Sequence, residues 1–229
     1  MDKKKKIIIV LVLIIISILI WWFFFHNKNK SVLIDKQKYI HSNYTKEISP
    51  DKLPLSKEGI KFTYTFWIYL KNVPENANWE TKFNTHKYII YRFGSPDVVY
   101  FPKKNIIRIF MTYKNELSDV AKDYIDITNI SIQKWNQIGI VLDEKNFDIY
   151  LNGELYGSIL LSNVPFIYQR FMLVGHKNAN FNGHISKLIY YNDSLDYKVI
   201  YDKYKQEIKD LPEKMDSYSK EYINNKKEN

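Results

Sequence analysis

The fold is decided by WNQIGIVLDEKNFDIYLNG, the stretch from Trp135 to Gly153. Apolar and polar residues alternate on both sides of a polar break at 143–146, which is typical of a β-hairpin with one buried face. The buried positions are Ile138, Ile140 and Leu142 before the break and Phe147, Ile149 and Leu151 after it. Because Asn152-Gly153 favours a tight turn, a third antiparallel strand is predicted over 154–160.

Further strand patterns surround this hairpin. The longest is Ile60 to Leu70, IKFTYTFWIYL, which is rich in β-branched and aromatic residues and is predicted to be a central strand. Strands are also predicted over 88–93, 98–101, 106–113, 124–127, 170–176 and 182–191, with an edge strand within 32–40. Since strands do not alternate with helices, the sequence predicts an all-β fold, an antiparallel sandwich.

The period changes after the last strand. Tyr197, Ile200, Tyr201, Tyr204, Ile208 and Leu211 recur at helical spacing, so a helix that packs against the sandwich is predicted over 194–211. Ser194 is the expected N-cap, Pro212 ends the run, and a second helix is expected near 215–222. The predicted sandwich spans 45–193, and a helical segment with a polar tail spans 194–229.

The N-terminus predicts a membrane anchor. A basic leader, 1–6, precedes an apolar run of nineteen residues, 7–25, in which Ser17 is the polar exception. A helix of that length spans about 28 Å, close to the hydrocarbon core of a bilayer. A cleaved signal peptide is the alternative, but the run is long and no small-residue cleavage site follows it. The side chains expected to contact lipid are Ile7, Leu11, Ile15, Trp21, Trp22 and Phe25.

Charge and composition limit the classes of binding partner that the sequence predicts. Residues 1–30 hold +5 of the formal net charge of +9, so the basic excess belongs to the membrane flank and nucleic-acid binding is not expected. Lysines 3–6 favour a cytoplasmic N-terminus, although the flank after the run is also basic. A tether is expected over 26–44, with the C-terminal domain on the non-cytoplasmic side. The chain has no cysteine, which excludes disulfides and thiolate chemistry.

Five segments carry a family resemblance. They are TFWIYL (65–70), KWNQIGIVLD (134–143), FDIYLNGEL (147–155), FMLVG (171–175) and FNGHISKLIYYNDSL (181–195). In this order they resemble the concanavalin A-like lectin/glucanase superfamily, and the laminin G-like branch in particular, over roughly residues 45–205. With the anchor, the chain is similar to membrane-anchored proteins of large DNA viruses. The resemblance implies a sandwich that hosts lectins, hydrolases, adhesion modules and structural proteins.

Catalysis is not expected. Retaining hydrolysis needs two carboxylates about 5 Å apart, and the resemblance implies a Glu-x-Asp-x-x-Glu strand that this chain lacks. The nearest acids, Asp143, Glu144 and Asp148, lie in or beside the predicted hairpin turn. Asn178, Asn180 and Asn182 offer oxygens that would suit calcium, yet their loop has no carboxylate and contains Lys177. No metal or other cofactor is therefore predicted.

Aromatic and histidine side chains near predicted loops or strand ends are the candidate contacts for a glycan or protein partner. They are Trp79, Tyr100, Tyr113, Tyr168, His176 and His184. The sequence predicts a non-enzymatic, single-pass membrane protein that displays its sandwich for protein or glycan contact, as a component of a virion membrane or envelope. The alternatives are a lectin proper and a glycoside hydrolase with displaced acids.

Overall fold

A computed structural model describes residues 12–17, 29–41, 43–71, 86–114, 120–177 and 181–212. Within them, thirteen strands precede one C-terminal helix, Tyr197–Glu207. The strands are β1 (Lys30–Ile34), β2 (Lys38–Ile40), β3 (Lys46–Ile48), β4 (Lys61–Leu70), β5 (Lys87–Tyr91), β6 (Asp97–Phe101), β7 (Ile106–Lys114), β8 (Val120–Thr128), β9 (Trp135–Asp143), β10 (Asn146–Leu151), β11 (Glu154–Leu160), β12 (Met172–Val174) and β13 (Gly183–Tyr191). Short 3-10 helices cover Pro50–Lys52, Pro102–Lys104 and Ile208–Asp210.

The strands form two antiparallel sheets. The seven-stranded sheet has the order β1-β13-β4-β9-β10-β11, with β2 also paired to β13. The six-stranded sheet has the order β3-β12-β5-β6-β7-β8. The predicted antiparallel all-β sandwich is confirmed.

The hairpin that decides the fold lies in the seven-stranded sheet. Leu142 of β9 pairs with Phe147 of β10, and β4 pairs with the other edge of β9 along its whole length. The turn into β11 places Gly153 at a φ of 83°, in the left-handed region that glycine adopts without a Cβ penalty. The core lies between the sheets, where apolar side chains of β4, β9 and β10 meet Ile107, Ile109 and Met111 of β7.

The observed bounds of several elements differ from the predicted ones. The edge strand expected within 32–40 is two strands, β1 and β2, that pair with successive parts of β13, so the tether expected over 26–44 includes part of the sheet. β12 is shorter than the predicted 170–176, and β8 is longer than 124–127. The expected N-cap at Ser194 is wrong. Asp196 holds that position, and the Ser194 hydroxyl instead donates to Asp143 Oδ2 at 3.1 Å.

Two predicted segments fall largely outside the described residues. Within the anchor predicted over 7–25, positions 12–17 are described and are helical. No helix among the described residues is long and apolar enough to cross a bilayer. The second helix expected near 215–222 lies beyond Pro212, the last described residue.

Candidate functional site: an open aromatic face

The outer surface of the seven-stranded sheet is aromatic and is covered by the C-terminal helix. We call it the covered face, and it consists of Trp67, Tyr69, Trp135, Val141 and Tyr150. Tyr204 of the helix stacks on Trp67, with ring centroids 5.7 Å apart and ring planes 19° apart. Ile200 is fully buried against the same surface. The predicted packing of the helix on the sandwich is confirmed.

Polar groups close the covered face. The indole N–H of Trp67 donates to Glu207 Oε2 at 2.7 Å, and the indole N–H of Trp135 donates to the Pro212 carbonyl at 3.0 Å. Buried tryptophan N–H groups need such partners. The helix and the residues just after it therefore bury the apolar side chains of this surface and provide hydrogen-bond acceptors for its indole N–H groups. The covered face is thus part of the folded core structure.

The outer surface of the six-stranded sheet is also aromatic, but no described element covers it. On β7 the residues Ile107, Ile109 and Met111 enter the core, so the alternate positions Arg108, Phe110 and Thr112 point outward. Neighbouring strands and loops add rings beside them. We call this surface the open face, and its rings are Tyr88, Tyr91, Phe93, Phe110, Tyr124 and Tyr168.

Two depressions cross the open face. One has a volume of about 490 Å³ and reaches from Tyr88 to Arg170, and the other, of about 340 Å³, reaches from His86 to Tyr124. Both are lined by Tyr88, Phe110 and Lys122, so they form one continuous trough. The rings support one another, with centroids of Tyr91 and Phe93 4.9 Å apart and those of Tyr88 and Tyr91 5.3 Å apart.

Cations lie over these rings. Lys122 Nζ lies 4.7 Å from the Phe110 centroid, and the Arg170 guanidinium lies 5.2 Å from that of Phe93. Arg108 stacks on Tyr124 at 3.9 Å and is paired with Asp126 through two hydrogen bonds of 2.7 and 2.8 Å, which raise its pKa. Within the described part of the chain, neither Lys122 nor Arg170 has a carboxylate at ion-pair distance.

Among the described residues, one carboxylate lines the trough. Asp97 is 4% exposed, and its Oδ1 accepts backbone N–H bonds from Arg92 at 2.6 Å and Gly94 at 3.0 Å. Burial raises the pKa of Asp97, while the two N–H donors and the charge of Lys122 act in the opposite direction. Burial, together with the Asp97 charge, raises the pKa of both Tyr88 and Tyr91. The trough thus contains a fixed acceptor among phenol and cationic donors.

The structure distributes the sequence-predicted contact residues over different surfaces. Tyr168 lines the trough, and the His176 ring lies 5.5 Å from that of Tyr88. Tyr113 is half-buried at the end of β7, where its hydroxyl donates to Asp123 at 3.3 Å. Trp79 lies outside the described residues.

Tyr100 and His184 do not fit the prediction of surface contacts, because each is only 2% exposed. Tyr100 shares the inward-facing phase of β6 with Val98 and enters the core. The His184 ring lies beside Tyr69, with centroids 6.1 Å apart, on the opposite side of the sandwich from His176. The described residues contain no group of three or more acids or histidines able to hold a metal.

The acids weighed for hydrolysis are at the β9–β10 turn. Asp143 lies 3.5 Å from Lys61, and Glu144 accepts the backbone N–H of Ile60 at 3.1 Å. Neither they nor Asp148 lines the trough. Their contacts hold strand ends together.

Sequence reasoning missed most of the trough. The missed residues are Tyr88, Tyr91, Phe93, Asp97, Phe110, Lys122, Tyr124 and Arg170. One signal was available, since the outward positions of β7 and β8 carry Phe110 and Tyr124 where a solvent-facing strand normally carries polar residues.

Comparisons with known proteins show which family the chain resembles. The family model for the laminin G type of the concanavalin A-like lectin/glucanases superfamily matches residues 42–200. No curated protein sequence matches the chain.

Solved structures with a similar fold include the botulinum neurotoxin serotype G binding domain, with a TM-score of 0.54, 16% identity and coverage of 78% of this chain and 46% of that one. The binding domain of botulinum neurotoxin DC in complex with rat synaptotagmin II has a TM-score of 0.54 and 14% identity, with coverage of 77% and 46%. A structure of the type C neurotoxin, whose cell entry depends on interaction with two ganglioside molecules, has the same TM-score, identity and coverage. The chain thus spans about half the length of these domains.

Proposed function

Because this chain belongs to the concanavalin A-like lectin/glucanases superfamily, we propose that it is a non-enzymatic binding protein that takes carbohydrate on its open face. One observation carries the proposal. Of two aromatic sheet faces, one has a helix fitted to it and the other, over the described residues, is left as a ring-lined trough with cations and a fixed acceptor.

The chemistry of the trough suits a sugar chain. The C–H face of a pyranose packs on a flat aromatic ring, and its hydroxyls need donors and acceptors around that ring. Tyr91 and Phe93 supply adjacent rings, while Asp97 is held by two backbone N–H groups and accepts. Arg170 and Lys122, neither of which has a carboxylate at ion-pair distance in the described chain, favour a glycan with acidic groups.

That the described lining offers one carboxylate rather than two argues against hydrolysis. Glycosidases of the usual kind place two carboxyl groups across the scissile bond. Asp97 is the carboxylate that the described lining provides.

The similar structures support binding rather than catalysis. The neurotoxin domains are named for binding, and one of them is seen with a protein, rat synaptotagmin II. A protein partner is accordingly the second candidate for the open face, since aromatic and arginine side chains also dominate protein interfaces.

A glycan array that includes acidic and neutral chains tests the proposal. Wild-type protein is compared with Tyr91→Ala and Arg170→Ala, and Tyr197→Ala is the matched control because Tyr197 is 47% exposed on the C-terminal helix. We expect binding of an acidic glycan to fall about fivefold or more in each open-face variant and to be unchanged in the control. A blank array with a partner captured by crosslinking at the open face would select the protein alternative. Binding that survives both open-face substitutions would refute either role for the trough.

We further propose that residues 7–25 anchor the chain in a membrane, with the sandwich on the non-cytoplasmic side of a cell or virion. The apolar run and its basic leader support this assignment. In sealed microsomal vesicles, whose lumen is the non-cytoplasmic side, a C-terminal tag should resist added protease until detergent opens the vesicles. A tag that is digested without detergent would reverse the orientation, and absence of the chain from purified virions would remove the envelope role.

A further inference from the structure

The chain that follows the predicted anchor joins the sandwich at one end, where β1 begins. β1 starts at Lys30, which pairs with Tyr191 at the end of β13, and β4 starts at Lys61, which pairs with Asp143 at the end of β9. We call this the tethered end. β4 has ten residues, so the opposite end lies about 30 Å away.

The tether is short. Four residues, 26–29, lie between Phe25, the last apolar residue of the predicted anchor, and Lys30. The five fully extended steps from one Cα atom to the next span at most about 18 Å. The tethered end therefore cannot move far from the membrane surface.

Large apolar side chains are exposed at this end. They are Leu55 (49%), Leu160 (71%), Val164 (46%) and Phe166 (42%). Leu160 belongs to it because it pairs with Asn146, beside the β9–β10 turn. At the opposite end, the described turns 102–105 and 129–134 expose polar residues such as Lys103 and Lys104. Their two large aliphatic side chains are Ile130, which is 2% exposed, and Ile132, which is half-buried.

An apolar depression lies among these side chains. It has a volume of about 270 Å³, and its walls include Ile60, Phe62, Pro165, Phe166 and Tyr190. The loop that forms one wall is fixed through its backbone, because Phe166 N–H donates to the Thr112 carbonyl at 2.9 Å and the Ser95 hydroxyl donates to the Phe166 carbonyl. The depression is thus formed before any ligand arrives.

We infer that the tethered end rests on the bilayer that holds the anchor, and that its depression takes lipid hydrocarbon. Exposed apolar side chains enter the boundary between headgroups and acyl chains when a protein surface lies on a membrane. Lys57 and Glu58 lie side by side in the loop before β4 that carries Leu55. Because their charges offset each other, the contact does not require anionic lipid. The inference depends on the membrane anchor of the proposed function, and it leaves the trough free to meet a partner.

The absence of native cysteine makes the test clean, because a single introduced cysteine takes one dye. Full-length Phe166→Cys and Lys104→Cys are labelled and reconstituted into phosphatidylcholine vesicles that contain a nitroxide-labelled lipid. Phe166 supplies its loop hydrogen bonds through the backbone, so its side chain can be replaced without removing them. We expect the dye at position 166 to lose most of its fluorescence and the dye at position 104, at the opposite end, to keep it.

The outcomes separate the inference from the proposed function. Failure of the protein to float with the vesicles would refute the anchor. Flotation with neither dye quenched would keep the anchor and refute the resting surface. Equal quenching of both dyes would mean that the sandwich lies on its side, which also overturns the inference. Quenching at 166 that disappears when Leu160→Glu is added would show that the apolar patch makes the contact.

Discussion

The two outer faces of the sandwich are both aromatic, but the C-terminal helix packs on one of them and no described element packs on the other. On the covered face, Trp67 is fully buried under Tyr204 and its N–H is bound by Glu207. On the open face, Tyr124 is 50% exposed, and Lys122 has no carboxylate at ion-pair distance in the described chain. Aromatic content alone therefore does not distinguish the two faces. Over the described residues, they differ in whether an element of the chain itself is fitted to them.

The largest expected effect is the loss of stability when the packing of the covered face is removed. Trp67→Ala removes a fully buried ring from beneath the helix, and we expect the free energy of unfolding to fall by about 3–5 kcal/mol. Urea unfolding of full-length protein in detergent measures it. Tyr124→Ala is the matched control on the open face and should cost less than about 1 kcal/mol, because half of its ring is exposed. Equal losses in the two variants would contradict the division between the faces.

A smaller effect is expected when a hydrogen-bond acceptor of the covered face is removed. Glu207→Ala leaves the buried indole N–H of Trp67 without its acceptor and Lys203 without its partner at 2.8 Å. We expect a loss of about 1.5–3 kcal/mol in the free energy of unfolding. Asp210→Ala removes an exposed partner of Lys187 and should cost less than about 1 kcal/mol. If Asp210→Ala costs as much as Glu207→Ala, the acceptor has no special role.

The smallest expected effect concerns pH and the open face. Because the folded-state pKa of Asp97 is raised by burial, its contribution to stability is fully present below the ordinary aspartate pKa of about 3.9 and is lost as pH rises through the folded-state pKa. Asp97→Asn keeps an Oδ1 acceptor for Arg92 and Gly94 but does not ionise. The variant should therefore gain stability relative to wild type as pH rises from below 4 toward neutrality. Urea unfolding across that range measures the difference, and a difference that falls with pH would contradict the burial argument.

Strand alternation predicted the sandwich but not the trough. The pattern around Ile140 and Ile149 and the Asn152-Gly153 turn are local signals, and all are realised. Tyr88 and Tyr91 are three residues apart and both face outward, because the pairing of β5 with β6 shifts register between Tyr88 and Ile90. A strict period of two assigns them to opposite faces.

Position near a loop is a poor guide to whether a side chain is exposed. Tyr100 lies at a strand end but points into the core, whereas Phe110 lies inside a strand and points outward. The phase of each residue along its strand decides which face it joins, and pairing between strands sets that phase. The cover over Trp67 likewise depends on contacts between distant parts of the chain, although the helical spacing of Ile200 and Tyr204 indicated a packed face.

Hydroxyl-radical footprinting of the full-length protein, with and without the acidic glycan that binds most tightly on the array, tests the central claim most directly. Glycan should protect Tyr88, Tyr91 and Tyr168 on the open face and leave Tyr156 and Tyr197, exposed elsewhere on the molecule, unchanged. Protection of Tyr156 or Tyr197 with no change on the open face would contradict the proposal that the open face binds the glycan.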